Sequence, residues 1–149
     1  NVMFHICGGC DDPKYLEAVK EAESGGYVQY HGEQNDMLPY FQMAHCVVHP
    51  SYYPEGMSNV LLEAAASARP IIATDRSGCR ETVEVGKTGY LIPIKDEDAL
   101  VQALEDFLQL TWEDRAKLGH AGRMKMEHEF DRQIVVQKYL DTLGTLGTN

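Results

Sequence analysis

Positive charge is scarce in this sequence: 149 residues carry 13 Lys and Arg against 23 Asp and Glu, a formal net charge of −10. Nucleic-acid binding depends on clustered cations that neutralise phosphates, so no nucleic-acid partner is expected. The same imbalance disfavours an anionic membrane surface as a partner of this segment. Long apolar runs are missing too, and none nears the roughly 20 residues that a bilayer-spanning helix needs. The opening residues, NVMFHICGGC, lack the basic flank and long apolar stretch of a secretion signal. Cysteine occurs only at positions 7, 10, 46 and 79, and reduced thiols in the cytosol are the default for such a chain. A cytoplasmic location is the resulting expectation.

What is present is ordinary globular material, 44% hydrophobic and 24% charged, enough for one domain over 1–149. Short β-type runs alternate with amphipathic segments. Strands are predicted at Met3–Cys7, Tyr27–Tyr30, Cys46–His49, Pro70–Thr74 and Gly89–Ile92. Between and after them, helices are predicted at Pro13–Glu23, Asn35–Ala44, around Val60–Ala68, Arg80–Val85, after Asp96, Trp112–His128 and Asp131–Leu143. Val60, Leu61, Ala64, Ala65 and Ala68 make one apolar face, and Leu100, Leu104, Phe107 and Leu108 another. Asp96 has the chemistry of an N-cap, with acids following in the first turn. This alternation predicts an α/β fold, a Rossmann-like and mostly parallel sheet with helices on both faces. Ligands of such sheets bind outside the carboxyl ends of the strands, which directs attention to the loops that leave them.

The loop after the third strand is the informative one: His49-Pro-Ser-Tyr-Tyr-Pro-Glu55-Gly56-Met57-Ser58-Asn59-Val60. Gly56 permits a sharp bend where a strand-end loop enters a helix. The first N–H groups of that helix lack intrahelical partners and stand at the positive end of its dipole. They form a phosphate site without a basic side chain. Glu63 lies in the second turn, on the flank of Asn59, where a carboxylate can accept from two vicinal hydroxyls. Glu55 precedes the turn. Two acids eight apart are uninformative alone, being equally at home as solvated surface residues; the strand end, glycine and helix start around them supply the meaning.

The run from His49 to Ile92 resembles the donor-binding core of family 4 of the retaining glycosyltransferases, which have the GT-B fold. The likeness rests on Pro50-Ser51, Glu55-Gly56, Glu63-Ala64-Ala65-Ala66, Pro70 to Thr74-Asp75, Gly78, Glu81, Gly86 and Gly89. Ser77-Gly-Cys-Arg-Glu-Thr-Val83 is similar to enzymes that build capsule, exopolysaccharide or lipid-linked oligosaccharides. The resemblance implies that Glu55, the catalytic-site candidate, contacts donor-sugar hydroxyls and that Glu63 holds the ribose. Amides of Met57, Ser58, Asn59 and Val60 would take the diphosphate, and His31, Gly32 and Glu33 would meet the base. It further implies a nucleotide-diphosphate sugar as substrate, UDP being the favoured nucleotide, with no metal or other cofactor. A glycan or lipid-linked acceptor and an N-terminal acceptor-binding domain preceding this chain are expected, together with the first strand and the Arg and Lys that clamp the diphosphate. The fragment alone would then be inactive, and the intact enzyme could be membrane-peripheral. One departure is Ala68, where the family has glycine.

Cys7-Gly8-Gly9-Cys10 offers a rival reading as a redox or half-zinc motif at a strand end. A non-catalytic module, a nucleotide-sugar epimerase or a phosphorylase of the same fold are further alternatives. Packing or hydrogen bonds account for the six histidines, of which His31 and His49 fall at strand ends. Val135, Val136, Tyr139, Leu140 and Leu143 form an apolar face on the last helix. That face is expected either to repack on this domain or to mediate self-association.

Overall fold

The structure, a computed structural model, describes residues 2–54 and 56–146. It divides into two compact units, residues 1–43 and 44–149.

The first unit is a parallel βαβ element: β1 (Phe4–Cys7), α1 (Pro13–Ser24) and β2 (Val28–Gly32), followed by α2 (Leu38–Met43). Asp12 starts α1 by accepting from Lys14 N at 2.9 Å, and Pro13 fills a first-turn position where no N–H is needed. Phe4 pairs with Val28, His5 with Gln29 and Ile6 with Tyr30; the register then shifts so that Cys7 faces Gly32. Tyr30 Oη donates to Gly8 O at 2.8 Å, and Gly8 N donates to Gly32 O at 2.7 Å. The end of β1 is thereby tied to the end of β2. Helix α2 begins three residues later than predicted, because Asp36 Oδ1 accepts from Leu38 N and starts it there.

The second unit runs β3 (Val47–His49), α3 (Asn59–Ala66), β4 (Ile71–Thr74), a 3₁₀ turn (Arg80–Thr82), β5 (Gly89–Ile92), α4 (Glu97–Gln109), α5 (Trp112–Glu129) and α6 (Arg132–Leu146). Its sheet has the order β3-β4-β5, parallel throughout, with Val47 against Ile71 and Ile71 against Gly89. All four residues of β4 are buried, so both faces of this central strand are covered. Ile72 and Ile92 pack with Ala103 and Phe107 of α4, and Val48, Leu100 and Leu104 close around them. Asp96 caps α4 by accepting from Ala99 N at 2.9 Å, as its position predicts.

Helices α3 and α5 meet through small residues. A methyl on Gly119 would lie 2.1 Å from Ala68 O, whereas one on Gly122 would meet Ala65 Cβ at 3.8 Å. Ala68 is not the last residue of the α3 apolar face, as the periodicity suggests; it lies beyond the helix with φ +55°. Ala68 N donates to Ala65 O and Arg69 N to Ala64 O, the paired bonds of a Schellman ending that ordinarily uses glycine. On α4 the predicted stripe also shifts, with Ala103 buried and Leu108 45% exposed. The apolar face of α6 does not repack on this chain: Val135, Val136, Tyr139, Leu140 and Leu143 are all exposed.

Candidate functional site

The site in the second unit is assembled where β3 and β4 end and α3 begins. Thr74, the last residue of β4, donates from Oγ1 to Ser51 O and so pins the loop leaving β3. Ser58 is the N-cap of α3, buried to 2% exposure. An N-cap serine ordinarily accepts from an amide of the first turn, but Ser58 makes no such bond. Its Oγ stands 3.5 Å from His49 Nε2. Its backbone N–H donates to Gly78 O at 2.9 Å, which clasps the loop after β4 to the start of α3. Gly78 N in turn donates to Glu81 Oε2 at 2.8 Å, so Glu81 shapes the glycine loop.

Cap chemistry therefore leaves the first amides of α3 to an external acceptor. Asn59 and Val60 have no intrahelical carbonyl to bond, and the dipole adds partial positive charge at the same place. Both are exposed, as is Met57. Gly56 is not required by backbone geometry as the sequence suggests: its φ lies outside the left-handed range and a methyl there would meet open space. The room it leaves before the helix N-terminus is its contribution. Such an arrangement is an anion site. Glu55 lies outside the described residues.

Glu63 is exposed, one turn beyond Asn59, and its carboxylate has no hydrogen bond or ion pair among the described residues. It borders an open depression of about 290 Å³ lined by Leu62, Ala66, Arg123, Met126 and Phe130. The neighbouring cation is occupied elsewhere: Arg123 donates to Glu127 Oε1 and to Ala66 O, each at 2.6 Å. Among the described residues Glu63 is thus an acceptor without a donor.

In the first unit, the residues assigned to the base gather at the end of β2. His31 Nε2 is 2.9 Å from His5 Nδ1, and the ring centroids are 5.2 Å apart, so the imidazoles meet edge to edge. Tyr40 approaches His31 edge-on at 4.8 Å, and Gln34 Nε2 donates to His31 O. Gly32 has φ +65°, a left-handed turn that favours glycine, and Glu33 is exposed.

Cys7 and Cys10 are free and partly buried. Burial pushes the Cys7 thiol above its ordinary value, the opposite of the lowered value that activates redox thiols. Burial also raises Cys46, to about 12. Among the described residues no three His, Cys, Asp or Glu side chains converge as a metal-binding group.

Sequence reasoning missed the His49–Ser58 contact, the Gly78–Glu81 clasp and the His5–His31 pair. Only the clasp had a local signal, an acid three residues beyond a glycine turn.

A parallel α/β fold with exposed helix amides at the carboxyl ends of its strands is an arrangement suited to a phosphate-bearing ligand. Residues 1–110 match the family Glycosyl transferases group 1, and the chain belongs to that family, a GT-B one. It is 37% identical over 92 residues to WcaL of Escherichia coli strain K12, by name a colanic acid biosynthesis glycosyltransferase; the match covers 62% of this chain and 23% of WcaL. Sucrose-phosphate synthase from Thermosynechococcus elongatus superposes with a TM-score of 0.80 at 28% identity, over 95% of this chain and 38% of that one. HepE from Anabaena, solved in complex with UDP, superposes with a TM-score of 0.82 at 22% identity, over 97% of this chain and 41% of that one. The chain thus spans about a quarter of WcaL and about two fifths of each solved chain.

Proposed function

We propose that residues 1–149 form one donor-binding domain of a retaining glycosyltransferase, which moves a hexosyl unit from a UDP-sugar to a glycan or lipid-linked acceptor. One observation carries this reading: the α3 N-terminus is uncapped by its own serine while Glu63, one turn on, has no protein partner among the described residues. A nucleoside diphosphate supplies both missing partners. Its phosphates accept from the amides of Met57, Asn59 and Val60, the Ser58 N–H being taken by Gly78 O, and its ribose hydroxyls donate to Glu63. By the family resemblance, Glu55 is assigned to the donor-sugar hydroxyls and His31, Gly32 and Glu33 to the uracil. The UDP complex of HepE supports the choice of nucleotide.

As the glycosidic bond of the donor breaks, negative charge grows on the diphosphate. Fixed helix amides stabilise it without reorganising, an electrostatic contribution of the kind that usually dominates. An acceptor-binding domain, together with the Arg and Lys that clamp the diphosphate, completes the site, so this chain alone does not catalyse transfer. The intact enzyme works in the cytoplasm, in peripheral contact with the membrane.

Saturation-transfer NMR with UDP, GDP and ADP tests the reading. UDP ribose and uracil protons should take up saturation, and Glu63→Ala should weaken binding roughly tenfold by removing hydrogen bonds to a charged acceptor. Equal binding by the variant, or no nucleotide contact by the full-length protein, refutes it.

A further inference from the structure

Beside the proposed donor site lies an ordered group that the donor reading does not use. The loops leaving β3 and β5 emerge on either side of β4 and meet through Tyr52 and Lys95. Lys95 Nζ sits 4.5 Å from the centroid of the Tyr52 ring, and the Tyr53 ring stacks on Tyr52 at 4.4 Å. The Tyr52 ring thus carries both the Lys95 ammonium and the Tyr53 ring, and Tyr53 is the more exposed of the two tyrosines. Tyr52 Oη donates to Tyr53 Oη at 3.0 Å and locks the two rings together. Lys95 holds its place with φ +60°, a conformation that side-chain-bearing residues rarely adopt. It has no carboxylate partner among the described residues. Tyr53 is 67% exposed, and only Pro54 separates it from Glu55.

We infer that Tyr52, Tyr53 and Lys95 form a second carbohydrate subsite, in which the outer face of Tyr53 stacks on a pyranose ring of the acceptor glycan. The patch is about one sugar ring wide, an apolar Tyr53 face edged by the two paired tyrosine hydroxyls and backed by Tyr52, which Lys95 holds. A pyranose matches this with a C–H face and a rim of hydroxyls. A protein partner or a membrane would demand a larger continuous apolar area. The acceptor assignment rests on the donor reading above, because Tyr53 stands two residues before Glu55 in sequence, the residue given to the transferred sugar; the stacking itself does not.

The test uses the full-length protein and saturation-transfer NMR with methyl α-D-glucopyranoside, methyl α-D-galactopyranoside, methyl α-D-mannopyranoside and methyl N-acetyl-α-D-glucosaminide, each in the presence of UDP. At least one glycoside should be saturated at its ring C–H protons. That signal should weaken roughly tenfold in Tyr53→Ala and persist in Tyr53→Phe, as stacking on an aromatic face requires. UDP saturation should stay equal in all three proteins, which also reports that the exposed substitution leaves the fold intact. No glycoside saturation in the wild type, or saturation untouched by Tyr53→Ala, overturns the inference. Loss of the uracil signal in Tyr53→Ala also overturns it, assigning the ring to the base. A Tyr53-dependent glycoside signal without any UDP signal keeps the sugar subsite and refutes the donor reading.

Discussion

Gly119→Ala and Gly122→Ala are the same substitution, on the same helix, three residues apart, with opposite expected signs. Both glycines are buried on α5 where it packs against α3. In either place alanine gains about 0.8–1.0 kcal/mol of helix propensity. At Gly122 the new methyl finds Ala65 Cβ at 3.8 Å and Thr88 Cβ at 3.9 Å, ordinary contacts that add burial. Stabilisation by about 1 kcal/mol follows there. At Gly119 the methyl would lie 2.1 Å from Ala68 O and 2.9 Å from Ala68 C. No rotamer relieves a contact with backbone, so α5 must move by about 1 Å or the turn after α3 must deform; such overpacking costs about 1–3 kcal/mol. This site belongs at or above the top of that range, because the turn is held by its two Schellman bonds. The net expectation is destabilisation by about 2 kcal/mol, and a gap of about 3 kcal/mol between the variants. Urea unfolding followed by circular dichroism measures both, with m-values checked for constancy. If the two variants agree within about 0.5 kcal/mol, α5 does not approach the Ala68 carbonyl and the α3–α5 packing described above is wrong.

Elements whose signals are local were legible from the residues. Gly89–Ile92 forms the strand the sequence predicts, and Asp96 caps α4, because an apolar run between a glycine and a proline and an aspartate before acids act over a few residues. Ala68 shows the limit. It fits the α3 stripe by period, yet the chain has already left the helix, and no glycine announces the left-handed turn. Leu108 and Ala103 show another: which side of α4 is buried depends on Ile72 and Ile92, residues of other elements. The site divides in the same way. The strand end, glycine and helix start that make an anion site are consecutive in sequence. That the amides are left uncapped depends on Ser58 lying beside His49, nine residues earlier across the loop. The apolar face of α6 was visible as a pattern, but a pattern says that a face needs cover and not what supplies it.

Two further outcomes follow from the same structure. Ala68→Gly should stabilise the chain by about 0.5 kcal/mol: relief of a left-handed alanine, worth about 1–2 kcal/mol, exceeds the added freedom of glycine in the unfolded chain and a half-buried methyl. Unfolding at a lower urea midpoint than the parent would contradict the φ of +55°. Cys46 gives a pH signature. Burial raises its thiol from an ordinary value of 9.0 to about 12, against weaker opposing effects of a hydrogen bond with the Ile72 backbone and the charge of Arg115. Below pH 9 both folded and unfolded thiols keep their proton and the shift has no consequence. As pH rises from 9 towards 12 the unfolded thiol ionises first, so folded stability is lost across that window. Cys46→Ala should therefore lose stability less steeply than the parent above pH 9, with parallel curves below it. At pH 8 the folded parent should alkylate at Cys46 with iodoacetamide more slowly than the urea-unfolded chain, because a protonated, partly buried thiol is a poor nucleophile. Rapid labelling at Cys46, read by peptide mass spectrometry, together with superimposable pH curves, would mean that the thiol reaches solvent and that the β3 edge of the α4 core is open.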